Sequence, residues 1–482
     1  MKVHIETWGC QMNVADSESM LELMKRQDYS LVDDPQQADL IVLNTCHIRE
    51  KATHKVLSRL GVLRDLKKDK PDLTIAVTGC VAQAEGTRLF DKAPVIDVLV
   101  GPGKIKELPT LVKEHKTRQL GSPSEQKGAH LAALGFDLPH SHPHSKMRES
   151  EAGSVLDSEG SIGKEMDPSA YSDSPMPGHN TVSRFVRIQQ GCDNFCTFCV
   201  VPFTRGREIS ERPENIEARV RSLVNEHGAR EITLLGQNVN SYGLDLLRAN
   251  QTLPSEDGPF VHLLRRVSAI EGLERLHFTS SNPHDFSHSL ARLFFEQPKM
   301  GRYLHLPVQS GSDEILSRMR RKVSRAQYDE KISWLREFVP DIALSTDLIV
   351  GFPGESDEDF EATYDLVQKT RFSFIFAFKY SPRKNTAAVR FRNQVPEDVK
   401  VLRLARLNAL QDKITLEQQE AEIGREKSVL FQYGSRKEEG VYYGRCEHFR
   451  LVRVRSQRPI SGMVLPVKIF EANKTALVGE LL

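Results

Sequence analysis

The chain has 482 residues, 39% hydrophobic and 27% charged, with a formal net charge of +1. This fits a soluble globular protein of roughly three domains at about 150 residues each, and the near-neutral balance leaves any nucleic-acid contact to local patches. It contains no run of about 18 apolar residues to cross a membrane, and its seven cysteines, an odd number spread over a long chain, do not form a disulfide framework.

The start, Met1-Lys2-Val3-His4-Ile5-Glu6, enters a strand pattern directly rather than a secretory signal. A reducing cytoplasm is therefore the expected location. Residues 1–117 alternate strands and helices. Strands are expected over Lys2–Trp8, Ala38–Asn44, Leu73–Thr78 and Val95–Val100, and helices over Asp16–Arg26 and Ile48–Asp65. Short apolar strands separated by helices predict a doubly wound parallel sheet. Cys10, Cys46 and Cys80 each follow a predicted strand closely, which puts three thiols at one carboxyl edge of that sheet. Ordinary small buried residues would also explain single cysteines there. Three at the same relative position favour a metal cluster.

From 118 to 180 the composition shifts to Ser, Gly, Pro, His and charged residues, as in Leu138-Pro-His-Ser-His-Pro-His-Ser145. This reads as a disordered linker. His140, His142 and His144 carry ligand chemistry, but a flexible polar tract argues against a metal site.

After a strand expected near Phe185–Gln189 comes Gly191-Cys-Asp-Asn-Phe-Cys-Thr-Phe-Cys199. Thiolates suit iron–sulfur clusters, which usually take four cysteines. Three closely spaced ones suggest a cluster with one iron open. A zinc site lacking its fourth ligand and three unrelated thiols are the alternatives. Further strands are expected over Glu231–Leu235, Leu276–Thr279, Tyr303–Val308, Ala343–Val350 and Phe374–Phe378, with amphipathic stretches at Asn215–Glu226 and Asp359–Lys369 between them. This repetition over 181–419 predicts an open or complete βα barrel. Its site would lie at polar or glycine-bearing strand ends. They include Gly236-Gln237-Asn238, Gln309-Ser310-Gly311-Ser312 and Gly351-Phe352-Pro353-Gly354-Glu355, which offer backbone groups to a nucleoside cofactor. A charged helix over 395–419 should bury Leu402, Leu404, Leu407 and Leu410.

Residues 420–482 turn to short strands with Gly and Pro breaks, a small all-β unit with a basic excess. In Leu451-Val452-Arg453-Val454-Arg455 the valines and arginines take opposite faces. Solvent exposure explains such arginines, as does a nucleic-acid platform. Cys446 has no partner motif and reads as structural.

Several stretches in order carry a resemblance: Trp8-Gly-Cys-Gln-Met-Asn13, Asn44-Thr-Cys-His-Ile-Arg-Glu-Lys51, Thr78-Gly-Cys-Val-Ala-Gln83, the 191–199 loop with Val200-Val-Pro-Phe-Thr-Arg-Gly206, Leu234-Leu-Gly-Gln-Asn-Val239, Leu306-Pro-Val-Gln-Ser-Gly-Ser312 and Val350-Gly-Phe-Pro-Gly-Glu355. Outside the linker, the chain resembles the methylthiotransferases of the radical S-adenosylmethionine (SAM) superfamily. The resemblance implies an N-terminal methylthiotransferase domain (1–117), a radical SAM partial barrel (181–419) and a C-terminal RNA-binding TRAM barrel (420–482). It implies that Cys192, Cys196 and Cys199 hold a SAM-cleaving [4Fe-4S] cluster, with Phe198 beside the adenine. Cys10, Cys46 and Cys80 would hold an auxiliary [4Fe-4S] cluster. Gly236, Gln237, Gln309 and Gly351 are the expected SAM contacts. Two departures stand out: the linker is long, and Glu211 occupies a place where arginine is common, with Arg212 beside it.

The reaction so implied places a methylthio group on carbon 2 of a dimethylallyladenosine beside the anticodon of tRNA, using two SAM molecules. No side-chain base removes that unactivated hydrogen near neutral pH, so a radical source is required. The expected partners are the tRNA anticodon stem-loop and an electron donor such as flavodoxin or ferredoxin, with no membrane and a monomeric chain. Threonylcarbamoyladenosine in tRNA and a ribosomal-protein aspartate are the alternative targets.

Overall fold

The computed structural model describes residues 1–46, 50–119, 130–136, 181–249 and 256–482, without the side chains of 50–54. The first domain is one parallel sheet. Lys2–Trp8 (β1), Ser30–Leu31 (β2), Leu40–Thr45 (β3), Thr74–Gly79 (β4), Val98–Val100 (β5) and Leu131–Ala133 (β6) lie in the order β2-β1-β3-β4-β5-β6. Strands β3 and β4 are buried along their whole length, as their uninterrupted apolar runs require of strands covered on both faces. Gln11–Lys25 (α1) covers one face through Met20, Leu21 and Met24. Glu50–Asp69 (α2), Cys80–Glu85 (α3) and Arg88–Lys92 (α4) cover the other around Val56, Leu60, Val81 and Leu89. Leu108–Gln119 (α5) returns to the face of α1.

Regular elements of the first domain fall inside the 118–180 span that composition assigns to a linker. α5 runs to Gln119, and β6 adds a sixth strand that pairs with β5. A three-residue strand is too short to show a period; its pairing with β5 defines it. Just beyond it, Gly135 N donates to Gln83 Oε1 at 2.9 Å. Phe136 lies against Gly206, where a Cβ would come within 3.0 Å of its ring. Most of the expected linker, His140, His142 and His144 included, lies outside the described residues, as do His47, Ile48 and Arg49. Deleting 138–176 with a short Gly/Ser bridge should leave soluble yield and iron content unchanged, because that composition buries no core. Deleting 122–176 removes β6 and Phe136 and should lower both. Equal behaviour of the two deletions in a soluble-yield and iron assay would contradict this boundary.

The second domain starts with Ser183–Arg187 (β7), then a short ribbon of Gln189–Gln190 (β8) and Ile209–Ser210 (β9). Glu231–Leu235 (β10) and Arg275–Phe278 (β11) complete one parallel sheet with β7. Tyr303–His305 (β12), Ala343–Val350 (β13) and Phe374–Lys379 (β14) form a second. A Leu276–Met300 bridge brings β11 against the approach to β12, so the strands follow one another in chain order around a shared core. This is the partial βα barrel that the periodicity predicts.

The long helix Glu397–Glu420 packs Leu404, Leu407 and Leu410 of its predicted stripe on the barrel core and departs from it at Leu402. Leu402 is 62% exposed, whereas Lys400, Arg403, Leu407, Gln411, Ile414 and Thr415 are buried. Polar side chains on this face cap the ends of barrel elements. Gln411 donates to the Phe372 carbonyl at 2.8 Å and Thr415 to that of Ser373 at 3.1 Å. Arg403 reaches Glu355 Oε1 and Asp357 Oδ1, each at 2.7 Å. Leu407 and Ile414 enter the barrel core with Leu404 and Leu410 packed against it, and the polar residues between them add hydrogen bonds that hydrophobic periodicity cannot show.

Glu426–Gly434 (β15), Val441–Cys446 (β16), Leu451–Arg455 (β17), Val464–Ala472 (β18) and Leu477–Leu481 (β19) close into a barrel ordered β15-β16-β17-β19-β18. Val452, Val454 and Cys446 belong to its core. Arg453 and Arg455 face outward and both meet Glu438, at 2.6 and 3.4 Å. The β16–β17 turn docks at the amino ends of the barrel strands. Arg275 Nη1 donates to the Arg445 carbonyl at 2.7 Å, His448 Nε2 lies 3.0 Å from Asp341 Oδ2, and Phe449 stacks on Tyr303 with centroids 4.7 Å apart. The C-terminal barrel therefore occupies the end of the βα barrel opposite its carboxyl-end loops.

Candidate iron–sulfur and cofactor site

Strand register assembles the first set of thiols. Trp8 pairs with Thr45, and Thr45 with Gly79. Cys46 and Cys80 follow their strands immediately and Cys10 follows after Gly9, so all three leave adjacent strands at one level. The approach is close enough that a Cβ on Gly9 would lie 2.5 Å from Cys46 Cβ. Buried Asn13 and Asn44 tie α1 to β3, with Asn13 Nδ2 donating to Asn44 Oδ1 at 2.9 Å and Asn44 Nδ2 to the Asn13 carbonyl at 2.7 Å. A hydrogen bond from Cys46 pulls the Cys10 thiol down to about 6 against its burial, with help from Arg205. Burial raises Cys80, and Arg205 opposes that rise.

The second set lies on the loop between β8 and β9. Cys192 N donates to the Gly206 carbonyl at 3.2 Å and Cys199 N to that of Cys196 at 3.0 Å. Burial pushes Cys192 up to about 11 and Cys199 up to about 12, with Cys196 adding to both. Such thiols give up their protons to a metal rather than to water. Arg321 Nη1 sits 3.7 Å from Cys196 Sγ. Gly191 opens the loop at φ +79, and its N–H donates to Gln237 Oε1 at 2.5 Å.

The other residues singled out from the sequence are placed as follows. Phe198 is half-buried and meets Phe352 edge-on, centroids 6.5 Å apart. Gly236 follows β10 and adjoins Gln189, whose Oε1 would lie 2.9 Å from a Cβ there. Gln309 is buried at φ +82, and its N–H donates to the Asp347 carbonyl at 3.0 Å. Gly351, at φ +70, is covered by Lys400, whose Cγ would lie 2.3 Å from a Cβ. Gln237 is thus engaged in bracing the cysteine loop through its oxygen, while its Nε2 is buried without a hydrogen bond.

Each thiol set offers three soft donors among the described residues, a donor set that fits an iron–sulfur cluster with one open iron. Around the carboxyl ends of β7, β10 and β11, Gln189 Oε1, Gln237 Nε2, Asn238 Oδ1 and Ser281 Oγ are buried without hydrogen-bond partners. Native interiors satisfy such atoms, so their concentration fits a polar cofactor. Glu208, pushed up to about 7 by burial and by Asp193, Asp245 and Asp285, adds an acidic recess suited to a cationic group.

Sequence reasoning missed the contact between the two domains. Met12 and Ala15 of α1 pack on Leu235 at the end of β10. Asp16 of α1, 1% exposed, accepts from Arg205 Nη2 at 2.8 Å and from Arg187 Nη1 at 3.1 Å. These residues are far apart in the chain, and nothing local distinguishes them. The recurrence of charge in Arg205-Gly-Arg-Glu208 beside the cysteine loop was the available signal.

Residues 2–101 match the Uncharacterized protein family UPF0004, and residues 186–367 match the Radical SAM superfamily. A tRNA-2-methylthio-N(6)-dimethylallyladenosine synthase of Clostridium botulinum is 39% identical over 478 residues, 99% of this chain and 96% of that protein. One of Geotalea uraniireducens is 40% identical over 479 residues, 99% of this chain and 98% of that protein. Among solved structures, a radical S-adenosylmethionine methyltransferase, TsrM, from Kitasatospora setae superposes with a TM-score of 0.54 at 14% identity, covering 80% of this chain and 74% of that one; this likeness concerns the fold. Identity at this level over nearly the whole length leaves one conclusion: the chain belongs to the tRNA-2-methylthio-N(6)-dimethylallyladenosine synthase family.

Proposed function

We propose that the chain transfers a methylthio group to carbon 2 of dimethylallyladenosine next to the anticodon in tRNA. What supports this reading is the pair of three-thiol sets, one at the ends of adjacent strands of the first sheet and one on a loop of the second domain, in domains that meet through Met12, Ala15 and Asp16 of α1. One set serves cleavage of SAM, and the other serves sulfur delivery. When bound, the two [4Fe-4S] clusters and SAM supply the radical, the sulfur and the methyl group that no side chain provides. Cys192, Cys196 and Cys199 hold the first cluster, and Cys10, Cys46 and Cys80 the second.

The remaining side chains orient and enclose. Gln237 holds the amide that opens the cysteine loop. Gly236, Gln309, Gly351 and Phe198 shape the SAM recess, and Glu208 offers a carboxylate to its cationic end. The target base sits in a single-stranded anticodon loop, so it enters without the breaking of a duplex. The C-terminal barrel, at the opposite end of the βα barrel from the thiols, adds RNA affinity rather than chemistry. The expected partner is an electron donor of the flavodoxin or ferredoxin type, which would serve the cluster that Cys192, Cys196 and Cys199 would hold, and the chain works as a cytoplasmic monomer. No helix among the described residues is long and apolar enough to cross a membrane.

An apolar branched group on the exocyclic nitrogen offers roughly 1.5–3 kcal/mol of burial, or roughly 10- to 100-fold selection over bare adenosine. A threonylcarbamoyl group brings a carboxylate that an apolar pocket rejects. Enzyme, reductant and SAM should therefore give methylthio product from a dimethylallylated anticodon stem-loop, and far less from unmodified or threonylcarbamoylated ones. Product from the threonylcarbamoylated loop alone overturns the assignment.

A further inference from the structure

Arg205 belongs to neither thiol set, yet it connects them. It follows Cys199 by six positions on the loop that Cys192 N closes by donating to the Gly206 carbonyl. Its guanidinium enters the other domain. Nη2 donates to Asp16 Oδ2 at 2.8 Å, and the electrostatic partners of the group include Cys80 and Cys10. The Arg205 side chain is 3% exposed and that of Asp16 is 1% exposed. Burial works against this charge, but Asp16, Cys80 and Cys10 outweigh it and keep the guanidinium firmly protonated.

One amino group of Arg205 remains unsatisfied: Nη1 is buried without a hydrogen-bond partner. A buried charged donor left unmatched is costly, and a thiol is a weak acceptor for it. Thiolate ligands and cluster sulfur are anionic and accept well. Hydrogen bonds to such sulfur, with local charge, set the reduction potential of an iron–sulfur centre.

We infer that Arg205 is a positioning residue for the auxiliary centre, donating from Nη1 to anionic sulfur at the cluster of Cys10, Cys46 and Cys80, with Asp16 fixing the guanidinium. This rests on the two-cluster reading given above. The donor favours the reduced, more negative centre and steadies any further sulfur anion there. Because the same loop carries Cys192, Cys196 and Cys199, the arginine also sets the sulfur-delivering centre in register with the SAM-cleaving one. Asp16 acts with the opposite sign, since its carboxylate offsets the positive charge that Arg205 brings.

That difference in sign separates this role from a mere interdomain ion pair. The experiment is a redox titration, followed by electron paramagnetic resonance, of reconstituted full-length holoenzyme in wild type, R205Q, R205K and D16N. The auxiliary wave is the one that persists when Cys192, Cys196 and Cys199 are Ala. R205Q should shift the one-electron equilibrium of that wave about tenfold toward oxidation, about 59 mV to lower potential. D16N should move it the other way. R205K, which keeps the charge but loses the fork, should fall between wild type and R205Q, while the SAM-cleaving wave stays in place. Shifts of the same sign in R205Q and D16N, or none in either, overturn the inference. If R205Q fails to load the auxiliary irons, D16N decides, and an unmoved or lowered wave there overturns it. About four irons per wild-type chain contradicts the two-cluster reading itself; with about eight present, the shifts judge Arg205 alone.

Discussion

Anaerobically reconstituted protein should hold about eight irons, and replacing Cys192, Cys196 and Cys199 together by Ala should leave about four and abolish cleavage of SAM to deoxyadenosine. Replacing Cys10, Cys46 and Cys80 should also leave about four, yet deoxyadenosine should still form, uncoupled from methylthio product. The split follows from where the thiols sit. One set leaves β1, β3 and β4 of a sheet whose two faces have their own cores. The other lies on a loop of the second domain, braced by Gln237 and by the Gly206 carbonyl. Neither loop depends on the other's thiols for its backbone hydrogen bonds, so each cluster should assemble without its neighbour. If the Cys10, Cys46 and Cys80 variant is the one that cannot cleave SAM, the roles are reversed.

Gly191→Ala should abolish SAM cleavage as completely as loss of the cysteines. At φ +79 an alanine pays about 1–2 kcal/mol for the left-handed backbone alone. Its Cβ would also lie 1.9 Å from the Arg207 carbonyl oxygen and 2.6 Å from that of Gly206. Backbone atoms cannot step aside as a flexible side chain does, so the loop must open. Opening breaks the Gly191 to Gln237 bond and displaces Cys192 from Cys196 and Cys199. Iron should fall to about four per chain, with the auxiliary cluster and overall fold retained by circular dichroism. A Gly191→Ala protein with full iron and wild-type deoxyadenosine yield would show that the loop tolerates rearrangement and that this closure is unimportant.

Much of this architecture is legible in the sequence where chemistry repeats at short range. Continuous apolar runs give β3, β4 and β13, and the cysteine spacing marks the 192–199 loop. The thiols at 10, 46 and 80 are also readable, because a parallel sheet converts equal offsets from strand ends into one edge. What could not be read depends on partners distant in the chain. β6 exists because β5 offers it an edge. The long helix turns Arg403 and Gln411 inward for hydrogen bonds with Glu355 and Phe372, and leaves Leu402 in solvent. Asp16 and Arg205 are ordinary charges until the two domains close on each other. Gln237 was legible as a strand-end polar residue, but the use of its oxygen on Gly191 was not.

This chain installs the methylthio group on a tRNA adenosine that already carries the dimethylallyl group. Mass spectrometry of tRNA nucleosides from a strain lacking the chain tests it most directly. Dimethylallyladenosine should accumulate and its methylthio derivative should vanish. The wild-type chain should restore that derivative, whereas the Cys10, Cys46 and Cys80 variant and the Cys192, Cys196 and Cys199 variant should each fail to do so. Unchanged methylthio-dimethylallyladenosine in the deletion strain, or restoration by either cysteine variant, would contradict it.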